Sequence, residues 1–171
     1  MTPPSQSAFP MVRAGGLFIL VMGVGVVLGS VVPTLRRSLL AAAVVLATAS
    51  IVVFGPALSA SLGGPTPTQL WFLVGAIALE ALFIGLAVAK YRPAGERALL
   101  LAILFAVGLH FLPMAGAFGP ICAALGVTLC VTAGYGLWLR PSLPLNGLWL
   151  VDGLLKATFG AIMLFSPHAG S

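Results

Sequence analysis

Six apolar runs, at residues 15–32, 38–54, 69–89, 97–112, 121–139 and 146–165, leave this chain few ways to fold. Each is close to the roughly 20 residues a helix needs to cross a bilayer core, the fourth being the shortest. In lipid every backbone polar group must be satisfied within the protein, so a crossing segment is either a helix or a strand of a closed barrel. A barrel strand alternates polar and apolar side chains, and none of the runs does so. The expectation is an all-α, polytopic membrane helical bundle of six transmembrane helices, with the lipid bilayer as its surroundings.

Composition agrees: 60% of the 171 residues are hydrophobic, 6% are charged and the mean hydropathy is +1.17, which a soluble domain of this size would not tolerate on its surface. A net charge of +5 would raise the question of nucleic acid in a soluble protein. Here the basic residues stand at the ends of apolar runs, where they act as topology signals and headgroup contacts, so nucleic acid is set aside as a partner.

The proline-rich residues 1–14 read as a disordered tail, residues 15–166 as one six-helix domain, and residues 167–171 as a second short tail. The links 34–37, 90–97 and 140–145 hold six of the eight Lys and Arg, and they alternate with the uncharged links 56–68 and 113–120. The positive-inside rule then places the basic links in the cytoplasm and both termini outside, with Arg13 as the one dissenter. A helical bundle without a transit sequence points to a bacterial inner (cytoplasmic) membrane. Pro33, Pro93 and Pro141 recur in the basic links, which suggests three helical hairpins inserted in one orientation. Small residues at Gly25 and Gly29, at Ala43 and Ala47, and at Gly153, Ala157 and Ala161 offer faces for close helix packing.

The last run carries Asp152 and Lys156 one helical turn apart, in the favourable order for an ion pair. A charge facing lipid at the centre of a span costs at least about 2.5 kcal/mol, so that face is expected to look inward. Glu80 lies near the middle of the third run, at the depth of Lys156. The expected arrangement is a cluster of Glu80, Asp152 and Lys156 in which Lys156 faces the third helix and Glu80 is the titrating group. His110 is placed toward the outer end of the fourth span, which Pro113 is expected to close. It is a proton-relay candidate or a residue bonded to a nearby carbonyl, and with no second ligand at its depth it is not expected to hold metal or haem. Trp71, Trp138 and Trp149 read as an interfacial belt. Cys122 and Cys130, eight residues apart on one helix, cannot bridge and read as packing residues.

The segment Gly108-Leu109-His110-Phe111-Leu112-Pro113, with Gly119-Pro120 after it, resembles a G-[LI]-H-F-[LI]-P segment in the fourth helix of uncharacterised bacterial families of small six-span membrane proteins. The hairpin plan is similar, more distantly, to small acid-resistance membrane proteins. Neither resemblance implies a reaction. Two functional readings follow. One is a proton- or cation-coupled, transport-like or ion-responsive protein acting on a small ion or small molecule through Glu80, Asp152, Lys156 and His110. The other is a non-catalytic accessory protein in which the same charges only fix helix packing. The chain has no protease, phosphate-loop or nucleophile motif, so no enzyme activity and no cofactor are expected.

Overall fold

The computed structural model describes residues 8–165 apart from residue 61. The tail expected at 167–171, with His168, and residues 1–7 of the other tail lie outside the described residues. The six runs become α1 (Val12–Val31), α2 (Arg36–Ser59), α3 (Pro67–Tyr91), α4 (Glu96–Phe118), α5 (Pro120–Gly134) and α6 (Leu145–Phe165). With their flanking turns, all six are long and apolar enough to cross a membrane. The chain is an all-α membrane protein, and no strand occurs among the described residues.

Several helices outrun the apolar runs that announced them. Val12 to Ala14 belong to α1 and not to a tail, with Val12 and Ala14 buried. Gln69 and Thr66 form a capping box at the start of α3, and the Gln69 side-chain amide donates to the Ala8 carbonyl at 2.7 Å, tying the segment before α1 to α3. Pro113 does not end α4, which continues to Phe118, just as α2 runs through Pro56. A proline removes one backbone donor from the ladder, and in a membrane helix neighbouring groups absorb that loss. What ends α4 is Gly119, whose φ of +92° only glycine adopts freely, followed by Pro120 at the first position of α5. The link expected at 113–120 therefore shrinks to a single residue.

At the end that carries the basic links, arginines cap helix carbonyls. The Arg36 guanidinium donates to the Gly29 carbonyl at 3.3 Å and to the Asn146 side chain, and lies 4.9 Å over the Trp149 ring. Trp149 is therefore 2% exposed, a buried residue and not part of an interfacial belt. Between α5 and the last link, Tyr135–Leu139 form a π-helical turn in which the Arg140 N–H donates to the Tyr135 carbonyl at 2.9 Å. Such a turn leaves carbonyls without ladder partners, and Arg97 supplies donors to Gly136 at 3.0 Å and Leu143 at 3.1 Å. Arg97→Met is expected to lower stability by about 1.5–3 kcal/mol, the worth of charged hydrogen bonds to partly buried carbonyls. Thermal unfolding in detergent measures it, and a loss under about 0.5 kcal/mol would mean that Arg97 does not support the turn.

The helices pack in the spatial order α2, α1, α6, α5, α4, α3. Two of the expected hairpins, α1/α2 and α3/α4, are closely packed, whereas α5 and α6 touch only thinly. The most extensive contact joins the first helix to the last. Glycine explains it. A Cβ on Gly16 would stand 2.8 Å from the Gly160 carbonyl oxygen and one on Gly160 the same distance from that of Gly16, while Gly23 and Gly153 oppose each other at 2.8 and 3.0 Å. Two glycines seven residues apart on α1 thus meet two glycines seven apart on antiparallel α6, and the backbones close on each other. Gly25 faces Ala43 instead and seats α2 on the other side of α1.

Two apolar clusters fill the bundle. Ile19, Phe111, Phe118, Leu125 and Met163 belong to the one at the uncharged end, and Val26, Leu101, Leu104 and Trp149 to the one at the basic end. Between them lies a polar layer.

Candidate functional site

The polar layer draws one or two side chains from each of three helices. On α3 the positions Gln69, Leu73, Ala76, Glu80, Phe83 and Ala87 recur at helical spacing and are the less exposed ones, so this stripe is the face that packs on α4. Glu80 stands in its middle, with its side chain 30% exposed. On α4, Gly108 brings α5 close, since a Cβ there would meet the Cys130 backbone nitrogen at 2.9 Å. Two residues further on, His110 turns inward and is buried. On α6, Asp152 and Lys156 are both buried and bonded directly to each other.

His110 sits at the centre of this layer. Because α4 continues eight residues beyond it, about 12 Å of helix separates His110 from Phe118, and the imidazole lies near mid-bundle and not at the end of a span. Its Nδ1–H donates to the Val107 carbonyl at 2.5 Å, and its Nε2 points to Glu80 Oε2 at 3.9 Å. The Phe111 ring packs against the imidazole, with centroids 4.3 Å apart.

The expected cluster is thus rearranged. Asp152 and Lys156 pair as their spacing required. Lys156 does not meet Glu80, because α3 packs on α4 and not on α6, and among the described residues no ion pair joins the two. Glu80 approaches His110 of α4 instead. Cys122 and Cys130 are free thiols, the second pointing its Sγ to the Phe105 carbonyl at 3.7 Å. Thr128 and Thr132 bond back to their own helix and take no part in the layer.

The tautomer follows from the geometry. With Nδ1–H committed to a backbone carbonyl, Nε2 of a neutral ring carries a lone pair. At 3.9 Å the Glu80 Oε2 stands beyond hydrogen-bond distance of that lone pair. Asp152 and Lys156 balance each other's charge.

The Family of unknown function (DUF6609) matches residues 4–170. The chain belongs to that family. No curated protein and no solved structure matches it.

Proposed function

We propose that this protein handles protons at mid-membrane, with Glu80 and His110 exchanging a single proton and the Asp152–Lys156 pair holding the field around them. The observation that carries this reading is the split within the layer. Asp152 and Lys156 are closed on each other and buried, as a purely structural pair would be. Glu80 and His110 are not hydrogen-bonded to each other: they stand 3.9 Å apart, and the carboxyl group is partly exposed. A carboxyl needed only for packing would be bonded out, since an unsatisfied polar group at this depth is costly. The apolar clusters on either side of the layer keep water from running straight through, so proton passage would depend on side-chain movement around His110. On this reading the protein is a small proton-coupled, transport-like or ion-responsive component of a bacterial inner membrane, with both termini outside, and not an enzyme.

A second reading is favoured by the buried Asp152–Lys156 pair taken alone: an accessory membrane protein whose charges only fix the packing of helices. Purified protein in liposomes loaded with a pH-sensitive dye separates the two. Under an imposed membrane potential, proton entry is expected to exceed that of protein-free liposomes and to fall at least about tenfold in Glu80→Gln, roughly the 1.4 kcal/mol that one lost relay group represents. Flux no greater than in empty liposomes would leave the accessory role standing.

A further inference from the structure

Toward the basic end, α3, α4 and the π-helical turn leave a groove of about 200 Å³ between them. Phe83 and Ala87 form one wall, Ala102 and Ala106 the floor, and Leu137 and Trp138 the other wall. The groove is costly to build. A regular helix in place of the π-helical turn would carry Trp138 to a different face, and π-helical turns are rare and frequently lie at functional sites. The ring has room only because residue 134 is glycine, where a Cβ would come 2.9 Å from it. Phe105 braces the same ring edge-on, with centroids 5.0 Å apart. Arg97 in turn satisfies the Gly136 carbonyl that the π-helical turn releases. Four features thus converge on one half-exposed indole that walls an apolar slot.

The mouth of the slot is basic. Lys90 and Tyr91 line it, Arg92 follows at once, and Arg140 follows the π-helical turn on the facing side. Among the described residues no carboxylate lies within ion-pair distance of any of the three cations, and the one nearby acid, Glu96, is turned to Arg37 at 3.7 Å. An apolar slot at acyl-chain depth, ending at headgroup depth in cations without a carboxylate partner, Lys90 over the Tyr91 ring at 5.4 Å, has the chemistry to fit a lipid and not that of a soluble solute.

We propose that this groove binds one anionic phospholipid, with an acyl chain against Ala102, Ala106 and Trp138 and the phosphate among Lys90, Arg92 and Arg140. Its place beside the stripe that carries Glu80 makes the bound lipid a neighbour of the α3/α4 seam, yet the lipid site stands whether or not that seam passes protons.

Tryptophan quenching by brominated lipid tests it on the full chain. Trp71→Phe removes an indole that is 74% exposed at the far end of α3, and Trp149 is buried away from lipid, so the remaining quenchable signal reports on Trp138. In phosphatidylcholine bilayers, brominated phosphatidylglycerol is expected to reach half-quenching at about fivefold lower mole fraction than brominated phosphatidylcholine, and Lys90→Gln should bring the two curves together. Ala87→Leu, which fills the slot from α3, should weaken quenching by both lipids. Superimposable curves in the Trp71→Phe protein, or a preference for phosphatidylglycerol unaltered in a Lys90→Gln, Arg92→Gln variant, would overturn the proposal.

Discussion

Gly153→Leu is expected to drive α1 off α6 and to cost more than about 3 kcal/mol, the upper end for overpacking in a protein interior. The reason is what the new side chain would strike. The Val27 Cγ2 at 2.9 Å could turn aside, but the Val27 backbone nitrogen at 2.7 Å and the Gly23 carbonyl oxygen at 3.0 Å cannot. A helix backbone yields only by moving as a whole, and the reciprocal contact at Gly16 and Gly160 must move with it. Gly75→Leu is the matched control. Nothing lies within 4 Å of a Cβ at that position, so its effect should stay within about 0.5 kcal/mol. Resistance to denaturing detergent reads both, and a Gly153→Leu protein as resistant as the Gly75→Leu protein would refute the glycine contact as the basis of the α1–α6 association.

Lys156→Met should be nearly as damaging, at about 3–5 kcal/mol, because it strands the Asp152 carboxylate in a layer closed by apolar clusters at both ends. Asp152→Leu strands the ammonium in the same way. Replacing both leaves two apolar side chains of similar bulk and no orphaned charge, so the double variant should be more stable than either single one. Melting temperatures of the three variants in one detergent settle it. If the double variant loses the sum of the single losses, the two side chains are not a pair.

The spans were legible because run length alone separates a membrane helix from anything else, and the basic links marked their ends to within a few residues. The bond between Asp152 and Lys156 was legible too, since spacing of four on one helix is a local property. What was not legible is which helix lies beside which. A helix apolar all round carries no stripe that names its neighbour, so α2 and α3 read alike although each packs on a single partner. The one available signal was the matching seven-residue interval in Gly16/Gly23 and Gly153/Gly160, and it is easily passed over beside the shorter Gly25/Gly29 interval that seats α2. The misplacement of His110 has a single cause. A proline read as a helix end put the imidazole toward the outer end of its span, whereas a helix running through Pro113 puts it near the middle of the span, where Glu80 also lies.

The closure of α1 on α6 also sets an order of events during synthesis. α1 enters the bilayer with its glycine face bare and can dock α2 at once, but the surface that will hold it most firmly, on α6, leaves the ribosome only after α2 to α5. Until then α1 and α2 form a hairpin open along one side, while α3, α4 and α5 can already assemble among themselves. Chains that stop before residue 145 should therefore insert and yet never mature, and are natural targets for membrane quality-control proteases.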